Sequence, residues 1–91
     1  MNKARRTLIA SEVLAVRTAI ENLRFALSNL QDIANAEQEC YDNMPEGLQN
    51  SDQGERILDC AQALELNVDD MDTAISSLDD AIDGIEEAAG E

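Results

Sequence analysis

Two runs of apolar residues, spaced alternately four and three apart, fill most of this chain, one on each side of a short loop that holds its only proline. The first is Ile9, Val13, Val16, Ile20, Leu23, Leu27, Leu30 and Ala34, continuing through Glu37 to Tyr41. The second is Ile57, Ala61, Leu64, Val68, Met71, Ile75, Leu78, Ile82, Ile85 and Ala89. Steps that average about 3.5 residues keep one stripe of a helix on a left-handed seam. The spacing predicts an all-α fold: an antiparallel helical hairpin of two long helices.

At 91 residues the chain is expected to form a single domain over 1-91. It has one Phe, one Tyr and no Trp, so its apolar content is the Ala, Leu, Ile and Val that suit a narrow seam rather than a globular core. A second seven-residue stripe, Ala19, Ala26, Ile33 and Cys40, runs beside the first seam. Cys60, Asn67, Ala74, Ala81 and Ala88 repeat the plan beside the second. Small residues there let further helices approach, and a lone hairpin leaves much apolar surface in water. The expected remedy is a homodimer forming a four-helix bundle.

The first helix is expected over about 2-41, the loop over about 42-51 and the second helix over about 52-88. Asp42, Asn43, Met44 and Pro45 bring turn chemistry, and the residue before a proline disfavours the helical region. Pro45 to Gln49 reads as one short helical turn with Asn43 as its cap. Ser51 or Asp52 then caps the second helix, with acids in its first turn. Gly90 reads as a stop signal, and Gly84 as a point where the end frays.

Catalytic and metal chemistry have little to work with. There is no His, no glycine-rich phosphate loop and no twelve-residue calcium loop, so no enzyme, cofactor or metal site is expected. Cys40 and Cys60 flank the loop at similar heights and read as buried thiols rather than a disulfide. With no run of apolar residues near the ~20 that span a bilayer, and no apolar segment after the N-terminal charges, no membrane association is expected and the location reads as cytoplasmic, in a bacterial host cell.

The charge is strongly asymmetric. Lys3, Arg5, Arg6, Arg17 and Arg24 precede a chain whose only later base is Arg56, and from Glu65 to Glu91 there are ten acids and no base. An antiparallel fold about residue 48 sets Arg24 near Asp72, Arg17 near Asp79 and Asp80, and Arg5 and Arg6 near the acidic tail. These pairs favour the hairpin over parallel alternatives. The net charge of −14 leaves a surplus of acid. Asp69, Asp70, Asp72, Asp79, Asp80 and Asp83 are therefore candidate contacts for a basic host protein, as an inhibitor or nucleic-acid mimic that blocks a basic groove. Direct nucleic-acid binding is not expected. Arg17 and Arg24, one heptad apart beside Phe25, are candidate contacts for a small anionic ligand.

Glu37 interrupts the first seam and reads as a register device paired with Arg56 across the hairpin. Leu8, Leu14 and Phe25 lie off the seam, as further oligomer contact or as anchors for a partner. In the loop, Tyr41 and Leu48 are expected to fold over the bundle end with Met44 filling the gap; Tyr41, Asn43, Met44 and Leu48 are also the candidate recognition residues of that loop.

The stretch Glu39-Cys40-Tyr41-Asp42-Asn43-Met44-Pro45-Glu46-Gly47-Leu48-Gln49-Asn50-Ser51 resembles the YDNMPE-x-LQ-x-S connector of small acidic proteins of phages and gut bacteria. That resemblance covers about fifteen residues and implies a helical hairpin of mobile-element origin, with no activity attached. The chain is also similar in length and architecture to secreted WXG-type hairpins, but it lacks their Trp-x-Gly turn. The sequence thus points to a non-enzymatic helical interaction protein that acts through self-association and protein contacts.

Overall fold

A computed structural model describes residues 2–90; Met1 and Glu91 lie outside the described residues. The chain forms helix α1 (Lys3–Asp42), a single turn α2 (Glu46–Gln49) and helix α3 (Asp52–Gly90), with no strand among the described residues. The two long helices pack against each other as a helical hairpin.

Ends and breaks have local causes. The Asn2 side chain accepts a hydrogen bond from the Arg5 amide at 2.8 Å and so caps α1, a start signal that the heptad pattern does not contain. After Asp42 the Met44 amide turns back onto the Tyr41 carbonyl at 3.1 Å, and Pro45 takes an extended conformation with φ −56 and ψ 146. Pro45 itself occupies the cap position of α2, with no side-chain cap bond, so the expected capping by Asn43 does not occur. The Leu48 and Gln49 amides instead return to the Pro45 carbonyl.

Ser51, not Asp52, caps α3. Its hydroxyl donates to the Leu48 carbonyl and accepts from the Gly54 amide at 3.3 Å, linking α2 to the first turn of α3. Asp52 and Glu55 fall in that first turn, where the exposed amides favour negative charge. Helix α3 then passes through Gly84 and extends to Gly90.

Two compact units are built on these helices. Unit 1 comprises Met1–Phe25 with Asp72–Glu91, and unit 2 comprises Ala26–Met71. Val13, Ile20, Ile75 and Ile82 are the buried apolar side chains of unit 1; Leu27, Ala34, Ala61 and Val68 are those of unit 2. Along each helix they fall on a strict seven-residue line, Val13 to Ala34 on α1 and Ala61 to Ile82 on α3, one of the two lines that make up each sequence seam. The loop lies within unit 2, where the Gln49 side-chain amide donates to the Tyr41 carbonyl at 2.9 Å.

Candidate self-association face and acidic surface

The other line of each seam stays open to solvent. In unit 1 it consists of Ile9, Val16 and Leu23 on α1 and Leu78 and Ile85 on α3; Leu23, Leu78 and Ile85 are 38%, 47% and 49% exposed. In unit 2 it consists of Leu30 and Glu37 on α1 and Ile57, Leu64 and Met71 on α3, all half-buried. At about 100° of rotation per residue, these lines lie on the same side of an antiparallel helix pair. Geometry agrees in unit 1, where Ile9, Val16 and Ile85 line one shallow groove together with Leu8 and the acid Glu12.

Beyond the open lines come the small-residue stripes. Ala19 with Ala74, Ala81 and Ala88 borders the open lines of unit 1, and Ala26, Ile33 and Cys40 with Cys60 and Asn67 border those of unit 2; all are exposed. Cys40 and Cys60 are thus free, exposed thiols, contrary to the buried state expected from the sequence. The reason is geometric, because a single partner helix covers one line of seven and the cysteines lie two lines away. Leu48, expected to fold over the bundle end, is 51% exposed. Tyr41 and Met44 are half-buried, and Asn43 is exposed.

Across the buried line from this face, unit 1 carries its ion pairs. The Arg17 guanidinium meets Asp83 and Glu86, each at 2.8 Å, and Asp79 at 3.5 Å. Arg24 meets Asp72 and Asp79, each at 3.8 Å. Hydrogen bonds to the Asp83 and then the Glu86 carboxylates hold the Arg17 proton more firmly than usual, raising its pKa; the guanidinium is charged at any pH a protein experiences. Asp80, expected beside Arg17, forms no ion pair among the described residues. It follows Asp79 by about 100° of helix rotation, which carries it away from α1. Arg5 and Arg6 likewise hold no ion pair among the described residues.

The six candidate acids are therefore not one cluster. Asp72, Asp79 and Asp83 neutralise arginines of α1, whereas Asp70 and Asp80 form no ion pair among the described residues; Asp69 is exposed. Leu14 and Phe25 are 68% and 72% exposed and lie away from the open seam lines. Glu37 and Arg56 form no ion pair with each other among the described residues. Arg56 lies about 100° of helix rotation from Ile57, past the stripe of Cys60 and turned away from the α1 of its own chain, so the hairpin itself does not bring the two together.

The distribution of charge separates the two sides of the hairpin. Between Val13 and Ala36 every charged residue of α1, namely Arg17, Glu21, Arg24 and Asp32, lies off the open seam line and off the small-residue stripe beside it. The same two lines of α3 are free of charge from Ile57 to Ala88. No cluster of three or more metal-ligating side chains occurs among the described residues, and no helix there is long and apolar enough to cross a membrane. Comparison with protein-family models, curated proteins and solved structures gives no match.

Proposed function

We propose that this chain is a non-enzymatic helical interaction protein whose first partner is a second copy of itself, joined through the open seam lines into a four-helix bundle. The observation that carries this reading is the pair of half-open apolar seam lines, on which Glu37 is the one charged residue, in a protein of net charge −14. An acidic chain gains solubility from every exposed acid, so seam lines that hold a single one, Glu37, along both helices are suited to burial. Alanine at positions 19, 26, 74 and 81 supports the same reading, because small side chains beside a seam let two helix pairs close to packing distance. The second copy is the occupant that fits by symmetry, since both helices present one repeating pattern and a two-fold axis buries it against itself.

Sedimentation equilibrium tests the proposal. A dimer that dissociates on dilution, with a melting temperature that rises with protein concentration, is the expected result. A species of about 10 kDa at all concentrations up to the millimolar range would overturn it, because a hairpin that needs no second copy has no use for this face. Arg17 and Arg24 are engaged with carboxylates on the other side of the hairpin, which leaves them poorly placed for a small anion. The acidic outer surface of the assembled dimer, and the loop that resembles connectors of phage and gut-bacterial proteins, are then where contacts with a host protein would fall.

A further inference from the structure

We propose that the groove between the first turns of α1 and the last turns of α3, within unit 1, binds a medium-chain fatty acid, with its carboxylate on Arg6 and its chain along the apolar wall. The groove arises from the buried lines themselves. In steps of seven, that of α1 runs back from Ile20 through Val13 to Arg6, and that of α3 runs on from Ile75 through Ile82 to Ala89. Where two large apolar side chains would complete the next layer, the chain supplies a cation and a methyl group. An opening of about 530 Å³ remains there, within the size range of sites that take small organic ligands. It shares only Ile9 with the open seam lines, so the site does not rest on the dimer proposed above.

The lining of the opening sets the chemistry of its occupant. Its apolar wall is Ile9, Ala10, Val13 and Leu14 of α1 with Ala89 of α3, and Leu14, 68% exposed, gains cover from a chain laid against it. Arg6 and Arg17 bound this wall along α1, about 16 Å apart on the helix axis, a span that suits a single chain of medium length. The two arginines differ in what holds them. Arg17 is engaged by Asp83 and Glu86 at 2.8 Å each, and Glu86 also lines the groove, so that end offers no free cation. Arg6 is exposed and holds no ion pair among the described residues. Lys3 and Arg5 precede it, and α1 has no acid before Glu12, so an anionic head at Arg6 lies in the one base-rich stretch of an acidic chain. A guanidinium meets a carboxylate through two parallel hydrogen bonds, and an alkyl chain gains by leaving water for the wall. Since Arg17 and Glu86 hold each other, Arg6 is the one polar side chain of the lining without an ion pair among the described residues. One anionic head and one apolar chain are what such a lining recognises.

Isothermal titration calorimetry of the full chain with sodium laurate, below the concentration at which it forms micelles, tests the site. Saturable binding of one laurate per chain is expected, with a melting temperature that rises with laurate concentration. Arg6→Gln removes the charge from an exposed position and should weaken binding by roughly tenfold or more. Ala89→Leu should abolish binding, because the unfilled layer is then occupied by the protein's own side chain; its helical signal without laurate shows that the variant is folded. Dodecyltrimethylammonium, with the same chain and the opposite charge, should show no saturable binding. A wild-type chain that does not bind laurate would overturn the site. So would an Arg6→Gln chain that binds laurate as the wild type does, or a cationic amphiphile that binds equally well, since either means that Arg6 does not read the head. Undiminished binding by a folded Ala89→Leu chain would place the alkyl chain elsewhere and overturn the site as well. None of these outcomes bears on whether the wild-type chain dimerises, which sedimentation without laurate decides.

Discussion

Two glycines of α3 show how far a single residue's effect depends on what stands beside it. A Cβ at Gly54 would meet the carbonyl oxygens of Leu48 and Gln49, the latter at 2.5 Å, and these backbone atoms are held by the α2 turn and by the Ser51 hydroxyl. Gly54→Ala should therefore destabilise the protein by about 1–3 kcal/mol, despite the better helix propensity of alanine. At Gly84 a Cβ meets nothing within 4 Å, and the residue sits exposed inside the same helix. Gly84→Ala should stabilise the protein by about 0.5–1 kcal/mol. Urea titration of both variants at one protein concentration checks the opposite signs. Only the second was legible in the sequence, where Gly84 already reads as a weak point. The requirement at Gly54 arises from an approach of α2 that no local pattern encodes, so its spacing carries no signal.

At the scale of elements, α1 and α3 were legible because both the seam and the charge order repeat along the chain. An antiparallel register about the loop predicts Arg24 beside Asp72 and Arg17 beside Asp79, and these pairs form. The remaining partners depend on rotation about the helix axis, which favours Asp83 and Glu86 over Asp80. Rotation also decides the cysteines: their stripe repeats every seven residues like the seam, but a hairpin covers one line only. Arg17 joins three carboxylates of α3 where Arg24 joins two at longer range, so Arg17→Met should lower the melting temperature more than Arg24→Met. Removing Arg17 also leaves Asp83 and Glu86 without a cation and Asp79 with Arg24 alone. Since all of these groups are partly exposed, the difference between the two variants should shrink in about 1 M salt, where the screening length falls to about 3 Å. A difference that persists at high salt would assign the effect to lost packing of the arginine stem.

For the whole molecule, what matters is that each hairpin encloses one seam line of each helix and leaves the second half open. The two lines therefore answer different questions. Ile75 is 3% exposed, and a charge there is buried in the hairpin itself; Leu78 is 47% exposed, and a charge there stays in contact with water in the hairpin. Ile75→Glu should accordingly unfold the chain, with loss of the far-ultraviolet helical signal at any concentration. Leu78→Glu should keep the helical signal at concentrations where the hairpin alone is folded, and should lose the proposed dimer. Burying two added carboxylates in one interface, one from each copy, costs several kcal/mol, which corresponds to a dissociation constant raised by roughly a thousandfold. If the hairpin is stable only as a dimer, Leu78→Glu will instead lose helix on dilution and regain it when concentrated, with a midpoint that tracks the association. Parallel measurement of ellipticity and sedimentation separates the two behaviours. A Leu78→Glu chain that sediments as the wild type does would mean that the open line is not the contact surface, whatever the oligomeric state.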